Sequence, residues 1–297
     1  MKIERLFRYC LLAGTFLLAS CSGDDMTDNP IAEPLPEGMY PLELTASVQA
    51  GLPVTRVSED QSGESKWDGN EIVKVKIGAE TKDYRTDVSG NLTSTQPFYW
   101  NSTNEIKQVT AWYPAALTFD SQLKDQSTAA KYMACDVLKA AQTSISYTST
   151  EKKLTFNHQM AKVIINLMQS DGTTAMTDAT SVEILCNKDF TYSEGGFTNS
   201  NAFDYVSPFR PENNSNTYKA MIIPQDMAGK QFIKVVWDGN TYYWTPTTGE
   251  ANLTAGKAHT YKITVMTTYL DVETVKSTSS DINWGEQEST QESGTIN

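Results

Sequence analysis

Short stretches in which apolar and polar residues alternate, divided by Gly, Asn and Asp, recur through this 297-residue chain. Successive side chains of a strand project to opposite faces, so such alternation marks a strand with one buried face and one wet face. Leu42, Leu44, Ala46 and Val48 alternate with Glu43, Thr45, Ser47 and Gln49. Val73, Val75 and Ile77 alternate with Lys74 and Lys76, and Val109, Ala111 and Tyr113 alternate up to Pro114. Tyr99-Trp100 closes another extended stretch after Pro97. Later strands are predicted at Val182–Cys186, Tyr218–Ile223, Phe232–Trp237, Tyr242–Trp244, Tyr261–Val265 and Leu270–Val275. Turn chemistry separates many of them: Asp68-Gly69-Asn70, Ser89-Gly90-Asn91, Asp171-Gly172 and Asp238-Gly239-Asn240. Many short strands with frequent turns predict an all-β protein of the β-sandwich class, and the length leaves room for two sandwiches.

Two segments carry more than a strand signal. Leu154, Phe156, His158 and Met160 share one parity, whereas Val163, Ile165 and Leu167 share the other. A one-residue change of phase moves side chains to the opposite face. It predicts either a bulge near Ala161-Lys162 or a strand that leaves one sheet for another. In Thr128–Ala141, apolar residues at 130, 133, 134, 137, 138 and 141 have helical spacing. Local propensity there reads as a short amphipathic helix, while a sandwich would make part of it extended; both readings stay open.

The N-terminus addresses location. Lys2, Arg5 and Arg8 precede an apolar run from Leu11 to Ala19. A bilayer span needs about 20 apolar residues, so this run has the proportions of a signal-peptide core. Leu18-Ala19-Ser20-Cys21 then resembles the bacterial lipobox, in which the Cys21 thiol is lipidated and residues 1–20 are removed. One acyl chain holds a protein only marginally. Bacterial lipoproteins carry two or three, which implies stable anchoring by palmitate-like chains. Ser22-Gly23-Asp24-Asp25 resembles the surface-export signal of Bacteroidetes lipoproteins. The expected location is the outer face of the cell outer membrane. Residues 21–41, with Pro30, Pro34, Pro36 and Pro41, read as a tether, and order is expected from Leu42.

Charge and cysteine usage narrow the partners. The whole chain carries 24 Lys and Arg against 36 Asp and Glu, net −12. Removing residues 1–20 takes Lys2, Arg5, Arg8 and Glu4, which leaves 21 against 35, net −14. An acidic surface of this kind repels nucleic acid, so no nucleic-acid partner is expected. Of the four cysteines, Cys10 leaves with the signal and Cys21 takes lipid. Cys135 and Cys186 are open to one disulfide in an exported protein. Cys186 continues the apolar parity of Val182 and Ile184, which favours a buried free thiol.

Catalytic signatures are missing. The chain has no G-x-S-x-G, no phosphate-cradling Gly loop and no H-E-x-x-H. Two isolated His and two isolated Cys give no metal-ligand spacing, so no metal and no cofactor is expected. His158 lies on the apolar parity of its strand, where a packed, hydrogen-bonded core residue is expected. His259 stands where a strand begins, between Gly256 and Tyr261. Tyr242-Tyr243-Trp244, with Trp237, reads either as a sugar-stacking platform or as a core pair, Tyr242 and Trp244, with Tyr243 on the other face. Carboxylates are plentiful, but the distance between two of them, which a glycosidase site depends on, is not readable from sequence. The reading is therefore non-enzymatic. Its competing classes are an assembling surface subunit, a surface lipoprotein that binds carbohydrate without catalysis, and a glycan hydrolase.

One order of motifs resembles a family. The lipobox is followed by Leu42-Glu43-Leu44-Thr45-Ala46, then Val54-Thr55-Arg56, then Trp67-Asp68-Gly69-Asn70-Glu71-Ile72. Val109-Thr110-Ala111-Trp112-Tyr113-Pro114 comes next, and later Leu154-Thr155-Phe156-Asn157-His158-Gln159-Met160-Ala161-Lys162-Val163. This order resembles the fimbrillin-like proteins of Bacteroidales, the subunits of type V pili; that family often has Asp where Asn70 stands. The resemblance implies two tandem transthyretin-like (immunoglobulin-like) β-sandwich domains, expected here at residues 42–150 and 151–297, the second with a polar tail. It also implies proteolytic cutting after an Arg that follows the first strand, which matches Arg56. The displaced strand would carry Leu42, Leu44, Ala46 and Val48, and the donor strand Leu270, Val272 and Val275. An exposed turn arginine is the plain reading of the same Arg56. The partners implied are other pilus subunits in a homo- or hetero-polymer, the outer membrane through lipid, and host or bacterial surface ligands; the location implied is the fimbrium.

Overall fold

The alternating stretches fold as strands of two consecutive sheet systems. The computed structural model describes residues 34–48 and 67–275. The first system contains β1 (Leu44–Val48), β2 (Ile72–Ile77), β3 (Glu80–Thr86), β4 (Asn91–Thr93) and β5 (Ile106–Tyr113). After a π-helical turn at Phe119–Leu123 and one short helix, α1 (Ala129–Ala134), it adds β6 (Leu138–Ser146) and β7 (Lys153–His158). These strands form one closed sheet in the order β1-β4-β3-β2-β5-β6-β7. β1 closes it, antiparallel to β4 on one side and parallel to β7 on the other.

The second system contains β8 (Ala161–Met168), β9 (Ser181–Asn187), β10 (Phe190–Ser193), β11 (Gly196–Asn199) and β12 (Phe203–Val206). It continues with β13 (Thr217–Ile222), β14 (Ile233–Trp237), β15 (Asn240–Trp244), β16 (Ala258–Val265) and β17 (Leu270–Val275). Two four-stranded sheets result, β12-β9-β14-β15 and β13-β8-β16-β17, with β10 and β11 as a separate hairpin. The described residues fall in one compact unit with two hydrophobic cores.

The phase change after His158 is a change of core. Leu154 and Phe156 on β7 pack into the first core, while Met160, Val163 and Ile165 pack into the second. The strand leaves one sheet for another, so of the two readings of the parity flip this one holds. Segment 128–141 divides in the same manner. Thr128 caps α1 by accepting the Lys131 N–H at 3.3 Å. From Leu138 the chain is extended and pairs with β5. The helical stripe is only partly what the fold buries: Val137 and Leu138 are buried, but Ala130 and Ala141 are exposed while Tyr132, Cys135 and Ala140, which lie off the stripe, are buried. Pairing with β5 has overridden a weak local preference.

Turn residues appear where backbone geometry demands them. Asp238 and Gly239, at φ 47° and 75°, join β14 to β15. Both central residues are left-handed, as the mirror-image hairpin turn requires. Glu194 and Gly195 do the same between β10 and β11. That hairpin braces the two systems. Glu194 pairs with Lys76 of β2, and the Tyr192 hydroxyl donates to the Pro114 carbonyl at 2.6 Å.

Candidate functional site

β1 lies between β4 and β7 in the closed sheet, so its removal would open two strand edges. Its alternation fills the first core with one row of side chains: Leu42 is 1% exposed, Leu44 2% and Ala46 6%, and Val48 is half-buried against the same core. Burying a leucine contributes about 1.5–3 kcal/mol, and β1 also pairs on both edges. Thr45 to Val48 run beside Lys153 to Phe156 of β7, and Leu44 and Thr45 face Leu92 and Asn91 of β4.

The seat is cut close to the backbone of β1. The Ala46 N–H donates to the Gly90 carbonyl at 2.7 Å. Gly90 has φ 82°, and a Cβ there would lie 2.2 Å from the Ala46 carbonyl oxygen. Glycine is required at this position both for the left-handed turn and for the close passage of β1. Trp67 packs beneath, edge-on to Phe156 at 5.5 Å and to Tyr113 at 6.3 Å.

Pairing begins upstream of Leu42, in a segment whose prolines read as tether. Pro34 bridges Ser102 and Pro41 bridges Tyr99. The Leu35 N–H donates to the Asn101 carbonyl at 2.9 Å, the Leu42 N–H to Phe98 at 2.7 Å, and Trp100 N–H to the Tyr40 carbonyl at 2.9 Å. Proline suits a strand margin because its missing N–H leaves no ladder bond broken. The sequence signal that could have revealed this extension is Leu35 among the prolines, since Leu35 packs against the first core.

Other expected site residues fall elsewhere. Cys21 and Arg56 lie outside the described residues, as do Ile282 and Trp284 of the tail. Leu270 and Val272 are buried in the second core and Val275 is half-buried. Their strand, β17, pairs with β16 alone, from Leu270↔Val265 to Val275↔Thr260. It ends its sheet. Strand β1 and β17 are thus both seated in their own halves of this monomer.

The histidines are structural in placement. His158 ends β7 at the change of core, and its Nδ1 lies 2.8 Å from Oδ1 of the fully buried Asp136. His259 is buried, and its Nε2 accepts the Thr254 N–H at 3.0 Å. His158→Ala should cost about 2–4 kcal/mol, because it strips a buried carboxylate of its ring partner. A thermal melt measures this; an unchanged melting temperature would refute the packed-pair reading.

Cys135 and Cys186 are both free and buried, and burial pushes the Cys186 thiol up to about 12. Tyr242 and Trp244 point into the second core, Trp244 lying 5.0 Å from Tyr261, while Tyr243 is 42% exposed. Among the described residues, no group of three or more His, Cys, Asp or Glu is placed to hold a metal ion, and no helix is long and apolar enough to cross a membrane.

A sequence model of the fimbrillin-like family matches residues 55–284, well over half of the chain. The chain belongs to the fimbrillin-like family. Solved structures repeat its fold. A proposed cell adhesion protein from Bacteroides uniformis is 17% identical with a TM-score of 0.58, over 81% of this chain and 98% of that one. Another from Bacteroides ovatus is also 17% identical, with a TM-score of 0.57, over 80% and 96%. Among curated proteins none matches the chain. The family match spans both cores of this fimbrillin-like chain and begins downstream of β1, so the seat of β1 lies inside the matched span and β1 itself outside it.

Proposed function

We propose that this fimbrillin-like chain is a structural and adhesive subunit of a cell-surface pilus, exported as a lipoprotein on Cys21 and assembled by releasing β1. The observation that carries the reading is that β1 alone closes the first sheet, between β4 and β7. With β1 gone, two strand edges and an apolar slot stand open together. An extended segment from a neighbouring subunit satisfies both needs at once: its backbone pairs with the edges and its alternating side chains fill the slot.

Arg56 is the proposed cut. Two other arginines lie in the described residues, and both are held. Arg85 lies in β3, paired with β2 and β4. Arg210 donates from Nε to the Ser215 carbonyl and from Nη2 to the Thr177 carbonyl, each at 2.7 Å, and lies over the Tyr218 ring. Pro211 follows it. A protease needs several residues of accessible extended chain, which neither position offers. Cutting at Arg56 turns an intramolecular strand into a peptide free to diffuse away, and its high effective concentration is lost.

The donor is proposed to come from Leu270–Val275 and the chain beyond. As the last strand of its sheet, β17 has one neighbour to part from, which favours it over any interior strand. We also propose that the two systems are two transthyretin-like domains; Leu154 and Phe156 packing in one core and Met160 and Val163 in the other support this. Cys21→Ala should abolish membrane attachment. The measurement is detergent-phase partitioning of the expressed protein, and a mutant that partitions as the parent does would end the lipoprotein reading. The assembly reading itself is tested by digesting the pure monomer with an Arg-specific protease. High-mass ladders on a gel are expected, and a stable cleaved monomer would count against it.

A further inference from the structure

We infer that the cleft between β15 and the start of β17 is a binding site for a neutral oligosaccharide. Both strands end their sheets, so this is where two sheet margins approach one another. The cleft encloses about 840 Å³ and is floored by Tyr242, Trp244 and Leu270, all three buried. Its wall is made by the outward row of β15 and the chain after it: Thr241, Tyr243, Thr245 and Thr247, each exposed. Gln231, Thr268 and Tyr269 face them.

The chemistry of this lining selects the ligand. One-fifth of the whole chain is charged, yet no Asp, Glu, Lys or Arg lines the cleft. Lys230, which lies between two lining residues, is turned away: its Nζ donates to the Asp226 carbonyl at 2.8 Å and sits over the Phe203 ring. A site built for an anionic or cationic ligand would present a countercharge, and this one presents none. It offers hydroxyls, one amide and an exposed ring instead. Hydroxyls both donate and accept, as sugar hydroxyls do. The apolar face of a hexose can lie on Tyr243 while its rim bonds to the threonines. Alternate residues on a strand repeat at roughly 6.6 Å, so Thr241 and Tyr243 on β15, continued by Thr245 and Thr247 in the chain after it, suit several linked sugar units rather than one.

The site is independent of β1 release, because it lies in the second system and is formed in the uncleaved monomer. The test is isothermal titration of the uncleaved full-length protein with maltohexaose, mannohexaose and cellohexaose, and with a hyaluronan hexasaccharide as the acidic probe. Binding of at least one neutral probe is expected, with no binding of hyaluronan. Tyr243→Ala should weaken that binding about tenfold, while Tyr243→Phe, which keeps the ring, should stay within about twofold. Tyr243 is exposed, so equal melting temperatures should accompany both variants. No binding of any neutral probe at millimolar concentration, equal binding of hyaluronan, or an unaltered affinity in Tyr243→Ala would overturn the inference. Self-association that Tyr243→Ala abolishes, with no sugar bound, would assign the margin to a second copy of the chain and overturn it as well.

Discussion

Arg56→Ala is expected to keep the protein monomeric under an Arg-specific protease that drives the parent into fibres. The expectation rests on how firmly β1 is held. Leu42 and Leu44 are buried in the first core, and β1 pairs with strands on both sides. Upstream, residues 34–42 add their own hydrogen bonds to Phe98 and Asn101. An uncut chain returns β1 to its seat faster than a partner can compete, because the tethered strand is always near. A single cut at Arg56 removes that advantage and breaks no chain bond within the described residues. Arg85 and Arg210 should stay intact for the reasons of pairing and anchoring already given, so the effect should be close to all or none. Size-exclusion chromatography and electron microscopy of treated protein measure it. Fibres from Arg56→Ala, or a cleaved parent that stays monomeric, would overturn strand release.

The groove that this prediction depends on was partly legible in the sequence. Leu42, Leu44 and Ala46 show their parity plainly, and the structure buries that parity. The Trp67–Ile72 turn was legible too, since Gly69 and Asn70 both take left-handed backbone there, a conformation that Gly and Asn tolerate best. Which strands would flank β1 was not. Its pairing with β7 joins residues more than a hundred positions apart, and a parallel pair leaves no hairpin signal to announce it. The tether reading of Pro34 to Pro41 missed a paired margin because composition reports what a segment contains, and not which neighbour it meets. Segment 128–141 shows the reverse case. A helical stripe was written in its apolar spacing, yet β5 needed a partner, and the chain becomes extended at Leu138.

The aromatic cluster shows where a pattern serves two ends. Alternation sends Tyr242 and Trp244 inward and Tyr243 outward, and the structure places them so. The core pair and an exposed ring are thus compatible readings of three adjacent residues. What the sequence could not reveal was the company Tyr243 keeps. Thr268 and Tyr269 come to the same cleft from the turn before β17, and only the approach of two sheet margins makes that proximity.

Ala46→Asp, placed in the Arg56→Ala background, should let the protein polymerise with no protease at all, whereas Gly90→Val should open the seat of β1 without growth. A Cβ at position 90 meets the Ala46 carbonyl oxygen at 2.2 Å; the backbone fixes where a Cβ sits, so no rotamer can relieve it. The φ of 82° adds a left-handed penalty of about 1–2 kcal/mol for a residue with a Cβ. Either β1 or the turn carrying Gly90 has to move. β1 is the element expected to move, since as the first strand of the described chain it can leave without parting any other two strands. The slot would then open in an uncut chain, but the valine stays in it and meets a neighbour's strand as it met β1. Ala46→Asp should displace β1 by another cause: a carboxylate at a position 6% exposed cannot be solvated there, and the charge leaves the slot with β1. Both variants should melt below the parent, and Ala46→Asp should grow with time and concentration. If both fold, bind no neighbour and stay monomeric, displacement of β1 is insufficient, and cleavage must supply something more than an open slot. If Gly90→Val grows fibres as well, the donor does not pass Gly90 as closely as β1 does.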